Sequence, residues 1–132
     1  MIFVDSSFWI AIRVARDERH ELAVDLLRIH HDAPLLTSNL VRGETWTFLR
    51  RRVGHGSAVH FLDQLDETPR LSVRVVREEV EDKALRWLRR HDERPYSFVD
   101  ATSFALMRAL RITDALAFDG DFAAAGFVEL QA

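Results

Sequence analysis

Short apolar runs alternate with helical stripes along this chain, and that alternation leaves few architectures open. Ile2-Phe3-Val4 is an apolar run that ends at Asp5. Ser6 and Ser7 can then cap a helix with Phe8, Ala11, Ile12 and Ala15 on one side. A second helix is expected over residues 19–31, with Leu22, Ala23, Leu26 and Leu27 inward. Leu35 and Leu36 after Pro34 predict a short second strand. The cap-rich Thr37-Ser38-Asn39 leads into a helix with Leu40, Val41, Thr45, Phe48 and Leu49 at helical spacing, and another begins near Gly56-Ser57 with Ala58, Phe61, Leu62 and Leu65 in register. Residues 71–76 read as a third strand. Between residues 77 and 91, Val80, Ala84, Trp87 and Leu88 form an i, i+4, i+7, i+8 stripe. Residues 98–110 are apolar enough for a buried helix, and 115–118 and 127–130 close the chain as strands. Strands separated by helices imply an α/β fold with a parallel sheet covered on both faces. No repeat or Pro/Gly linker interrupts the pattern, so residues 1–132 are expected to be one domain.

Composition excludes several chemistries. There is no cysteine, which removes disulfides, thiolate zinc sites and a cysteine nucleophile. No apolar run approaches the ~20 residues that span a bilayer. Met1-Ile2-Phe3-Val4-Asp5 lacks the basic start of a signal peptide, so a cytoplasmic protein without membrane contact is expected. The 18 basic residues are Lys83 and otherwise arginines, against 21 acidic ones. At a net charge of -3, nucleic-acid binding must rest on a local site rather than on overall charge.

In parallel sheets, ligands bind beyond the carboxyl ends of the strands. Asp5 directly follows the first expected strand, Asp119 directly follows the strand over 115–118, and Asp121 lies two residues on. Glu44 stands four residues from both Leu40 and Phe48, on an apolar helical face. Asp100 opens a helix among Phe98, Val99 and Ala101. These acids are candidates for one half-buried cleft. Two unit charges ~4 Å apart repel by about 1 kcal/mol in water and several times more at a protein surface. Such a cluster takes up protons or a divalent cation. Hard oxygen ligands select Mg²⁺ or Mn²⁺, which activate water and stabilise charge on a phosphoryl oxygen. That chemistry points to phosphodiester hydrolysis. Each acid also has a plainer role. Asp5 fits a turn and N-cap, Asp100 a capping box with Ser97, Asp119-Gly120 a turn, and Asp121 a cap. Glu44 has the least of these, since an acid on an apolar face needs a partner.

The chain resembles the PIN domain, specifically the VapC-like toxins of type II toxin–antitoxin systems, over essentially its whole length. The resemblance runs from the apolar strand into Asp5-Ser6-Ser7, through Thr37-Ser38-Asn39 to Glu44-Thr45, then Tyr96-Ser97-Phe98-Val99-Asp100-Ala101-Thr102-Ser103. It ends with Ala115-Leu116-Ala117-Phe118-Asp119-Gly120-Asp121-Phe122 and Gly126-Phe127 behind it. It implies a three-layer α/β/α sandwich around a five-stranded parallel sheet, and a Mg²⁺- or Mn²⁺-dependent ribonuclease. Asp5, Glu44, Asp100 and Asp119 map onto the catalytic quartet, with Asp121 as a further acid near the metal and Ser6 as a supporting hydroxyl. Asp5, Asp100 and Asp119 would hold one or two cations, and Glu44 would ligate a cation or position and deprotonate water. The partners implied are RNA, a cognate antitoxin and a second copy of the chain, with DNA reached only through the antitoxin. One departure stands out: many members carry Ser or Thr where this chain has Ala117.

Arg42, Arg50, Arg51 and Arg52 are candidates to hold flanking phosphates. A solvated helix end favoured by the macrodipole also explains the last three. Trp9, Trp46 and Phe48 fit either core or a dimer or antitoxin surface. No histidine pair has zinc-ligand spacing. Two other readings stay open. An aspartyl-phosphate phosphotransfer domain also places acids at strand ends, although it wants a lysine there and Lys83 sits mid-helix. A non-catalytic PIN-like module would use the cleft only to bind RNA or a partner.

Overall fold

The first strand, β1 (Ile2–Val4), is buried at every position, as a strand covered on both faces must be. The structure, a computed structural model, describes residues 1–132. In chain order, β1 is followed by α1 (Ser6–Arg13), α2 (His20–Ile29), β2 (Leu35–Ser38), α3 (Asn39–Arg52), α4 (His55–Asp66) and β3 (Leu71–Arg74). Then come α5 (Glu78–Arg90), α6 (Phe98–Leu110), β4 (Asp114–Leu116), the short α7 (Asp121–Ala124) and β5 (Val128–Glu129). The sheet has five strands in the order β3-β2-β1-β4-β5, and every pairing is parallel.

Strand alternation divides the core into layers. Ile2, Val4, Leu35 and Leu116 point to one face and pack with Phe8, Ala11, Ala23 and Leu26 of α1 and α2. Phe3, Leu36 and Ala115 point to the other, against Val41, Phe104, Met107 and Phe122. Sheet alternation and helix periodicity together give the α/β/α arrangement expected from the sequence.

Four details differ from the sequence reading. α1 stops at Arg13, where the Val14 N–H closes the last turn on Ile10, so Ala15 lies outside the helix and is exposed. β3 ends at Arg74, because the Val76 N–H is taken by the Asn39 Oδ1 at 2.8 Å. β4 ends at Leu116, so Asp119 rides on a loop rather than directly on a strand end. At the edge, β5 spans only Val128–Glu129. Trp9 is half-buried and packs against three of the hydrophobic clusters, which makes it core. Phe48 remains exposed at 36%.

Candidate active site

Because β1 and β4 are parallel neighbours in the register Val4↔Leu116, the chain segments leaving them emerge side by side. Asp5 caps α1 in extended backbone. Its Oδ2 accepts from the Ser7 N–H at 3.2 Å and from the Ser7 hydroxyl at 2.8 Å. The cap uses one oxygen. The other, Oδ1, is buried and has no hydrogen-bond partner.

The loop after β4 is clamped by side chains from several directions. The Ser7 hydroxyl accepts from the Phe118 N–H at 3.1 Å, and the Phe118 carbonyl accepts from Arg19 Nη1 at 2.7 Å. Glu129 accepts from the N–H groups of Gly120 and Ala123 at 3.3 and 3.0 Å. Arg94 donates from Nε to Asp121 Oδ1 at 2.8 Å and from Nη2 to the Asp119 carbonyl at 3.3 Å. Gly120 turns the loop at φ 81, in the left-handed region that favours glycine. Asp119 Oδ1 accepts from the Asp121 N–H at 3.1 Å.

Asp100 enters from the first turn of α6. The Ser97 N–H donates to its Oδ2 and its own N–H donates to the Ser97 hydroxyl, both at 2.9 Å, which completes a capping box. The plain and the chemical roles coexist, since the box leaves the second carboxylate oxygen free.

Three carboxylates from two parts of the chain converge here: one oxygen each of Asp100, Asp119 and Asp121 lie within 4.8 Å of one another. Asp5 shares their field. Burial foremost, then the charges of Asp119 and Asp100, push its carboxyl up to about 7 against the bonds from Ser7. Asp100 is pushed up to about 6, first by burial; the Ser97 bonds oppose the shift, and the charges of Asp119 and Asp121 add to it. Asp119 is raised as well, by burial first, with the Asp121 N–H working against it. Asp121 differs from the rest because Arg94 is already its ion-pair partner.

Glu44 stands apart from the three-acid group. It is half-buried, and its Oε1 accepts from the Ser6 hydroxyl at 2.5 Å. Its apolar neighbours on α3 do not bury it in core. Leu40 and Phe48 instead line an open groove of about 680 Å³ that also contains Val99, Arg51 and Arg52. Glu44 itself lines this groove, and Val99 directly precedes Asp100 in the chain. Arg42 and Arg50, also on α3, do not line it. The guanidinium of Arg52 lies 5.7 Å from the Phe48 ring centroid.

Sequence reasoning missed Ser7, Arg19, Arg94 and Glu129. Ser7 had a local signal in the Ser6-Ser7 pair, but its bond to Phe118 spans 111 positions. The others are set by the fold and leave no pattern in a single sequence.

The donor set is all oxygen. A buried carboxylate oxygen without a partner, beside acids that burial and mutual repulsion push toward the protonated form, is the arrangement a hard divalent cation satisfies. Asp5, Asp100 and Asp119 are the residues that would hold it. No helix is long and apolar enough to cross a membrane.

Comparison with known proteins agrees with this geometry. The profile of the PIN domain family matches residues 2–128. The 23S rRNA-specific endonuclease VapC20 of Mycobacterium tuberculosis, strains CDC 1551 / Oshkosh and ATCC 25618 / H37Rv, is 54% identical over 137 residues, covering 99% of this chain and 98% of the relative. A crystal structure of M. tuberculosis VapC20, described as a sarcin–ricin-loop-cleaving toxin, superposes with a TM-score of 0.93 at 51% identity over the full length of both chains. A parallel sheet with acids at its carboxyl end and a family match from the first strand to the last have one reading: this chain belongs to the PIN domain family.

Proposed function

We propose that this chain is a Mg²⁺- or Mn²⁺-dependent endoribonuclease, the toxin of a type II toxin–antitoxin pair, acting in the cytoplasm as one domain on 23S rRNA at the sarcin–ricin loop. The observation that carries the chemistry is the convergence of Asp100, Asp119 and Asp121 beside Asp5, whose second oxygen is buried and unpartnered. The RNA target rests on the 54% identity to VapC20.

The residues divide the work. Asp5, Asp100 and Asp119 would hold the cation, Asp5 through its buried, unpartnered oxygen. A divalent ion so held supplies Lewis acidity toward a phosphoryl oxygen and toward water. Glu44, steadied at Oε1 by Ser6, keeps Oε2 free to orient an attacking water and take its proton. Asp121, whose Oδ1 accepts from Arg94, stands beside Asp100 and Asp119 as a further acid near the cation. Arg51 and Arg52 in the groove bind phosphates flanking the scissile bond. A cognate antitoxin silences the enzyme and carries any DNA binding of the complex, and two copies form a homodimer. The phosphotransfer reading loses its lysine, since Lys83 lines a separate hollow between α5 and α6, away from the acids.

Cleavage of a 23S rRNA fragment tests the reading. It should proceed with Mn²⁺ or Mg²⁺ and stop with EDTA or in Asp5→Asn. Binding of the fragment without cleavage under either ion favours the non-catalytic module.

A further inference from the structure

Away from the carboxylates, α5 and α6 enclose a second hollow, of about 400 Å³, whose walls carry Lys83, Arg86, Arg90 and Arg108 around Trp87. No acid lines it. None of the four cations is in an ion pair, for the chain's three bridges are Arg28–Asp25, His91–Glu93 and Arg94–Asp121. In a chain with 21 acidic and 18 basic residues, such a gathering of exposed, unpaired cations makes a local positive field that attracts an anion.

The macrodipole accounts for basic residues in a last helical turn, which covers Arg90 and Arg108. It does not reach Lys83, in the middle of α5, and it does not explain how Arg108 is held. Arg108 Nη2 donates to the Ala125 carbonyl at 3.1 Å. Its guanidinium carbon lies 5.8 Å from the Trp87 ring centroid and 5.0 Å from that of Phe127. One hydrogen bond and two aromatic faces orient this fork, and partial burial lowers its pKa. Its remaining donors have no acceptor in the protein.

We propose that this hollow binds backbone phosphates of RNA outside the cleavage site, an inference that rests on the ribonuclease reading. Guanidinium forks suit phosphate oxygens. The ring of Trp87 is not free to stack a base: His91 covers it at 4.1 Å, Tyr96 and Phe104 meet it edge-on, and Arg108 lies over it. Binding is therefore to the backbone and independent of sequence. The location suits a long substrate. Arg108 follows Asp100 by eight positions on α6, about 12 Å along the helix axis. At that spacing, RNA that runs a few nucleotides beyond the scissile bond along α6 reaches this hollow.

Filter binding in EDTA, where no turnover occurs, tests the proposal with a 23S rRNA fragment over a range of salt concentrations. Arg86→Glu and Arg90→Glu, singly and combined, reverse exposed charges. Arg28→Glu on α2 is the charge-matched control. The expected result is a loss of affinity of roughly tenfold per reversal at low salt, with the log–log salt slope shallower by about one for each phosphate no longer neutralised. Arg28→Glu keeps the wild-type slope. A double variant with wild-type affinity and slope overturns the proposal, as does an equal loss in Arg28→Glu. Loss of binding to poly-glutamate with rRNA binding intact also overturns it, in favour of an acidic protein partner. Wild-type protein that binds the fragment through these residues yet cuts nothing in Mn²⁺ refutes the ribonuclease reading and leaves the phosphate site standing.

Discussion

The Ser6 hydroxyl donates to the Glu44 carboxylate at 2.5 Å, joining residues 38 positions apart. It fixes one oxygen of Glu44 and leaves the other turned to the groove. A hydrogen bond to a charged group is worth about 1.5–3 kcal/mol. Ser6→Ala should therefore lower kcat by roughly tenfold to a hundredfold with KM little changed, and single-turnover cleavage of a 23S rRNA fragment reads the effect. An unchanged kcat contradicts a positioning role for Ser6.

Protonation of the acids couples stability to pH. Folded Asp5 and Asp100 titrate at about 7 and about 6, against an ordinary 3.8. Between these values the folded chain holds protons that the unfolded chain releases. Their stabilising contribution is fully present below the ordinary value and is lost as pH rises through the folded pKa values. In EDTA the Tm should fall from pH 5 to pH 8, by the equivalent of about a few kcal/mol in stability. Mn²⁺ should restore it at pH 8. A metal-free Tm that rises over this range argues against the burial and mutual repulsion that raise these carboxyls.

Asp5→Asn removes the most strongly shifted carboxylate and keeps an acceptor for Ser7. At pH 8 without metal this variant should melt higher than wild type, and Mn²⁺ should raise its Tm much less. Differential scanning fluorimetry measures both. A variant that melts lower in EDTA would mean that the charge of Asp5 stabilises the fold.

Arg94 ties Asp121 and the Asp119 carbonyl to the loop before α6. The pair is partly exposed, so Arg94→Ala should cost less than about 1 kcal/mol of stability. A freed loop misplaces Asp119, and small displacements at a reacting centre are expensive. We expect kcat to drop roughly tenfold with Tm nearly constant. A parallel loss of Tm and activity would make Arg94 merely structural.

Ala117 is 2% exposed and packs in the cluster of Phe3 and Phe122. Polar support for this loop comes instead from Ser7, through the Phe118 N–H. Ala117→Ser should leave kcat unchanged and lower stability by about 1 kcal/mol, the cost of burying a hydroxyl among apolar groups. Denaturant titration and cleavage assays decide; a gain in kcat would show that the missing hydroxyl matters.

Local and periodic features were readable in the sequence. The apolar Ile2-Phe3-Val4 became the central strand, and the stripe from Val80 to Leu88 became the inner face of α5. The Ser97–Asp100 capping box followed from spacing alone. Glu44 reads in the sequence as an acid on an apolar face; in the fold its apolar neighbours line a groove instead of the core, and Ser6 donates to it. Strand ends escaped because side chains from elsewhere set them: Asn39 intercepts the Val76 N–H, and Ser7 and Arg19 hold both polar groups of Phe118. Arg94 was invisible for the same reason, since its partner is 27 positions away.

Isothermal titration of Mn²⁺ into wild type and into Asp119→Asn, at pH 6 and pH 8, bears most directly on the carboxylate cluster as a cation site. Saturable binding that tightens at pH 8, releases protons at pH 6, and is lost in Asp119→Asn is the predicted result. Binding that is absent, indifferent to pH, or equally tight in the variant would contradict it.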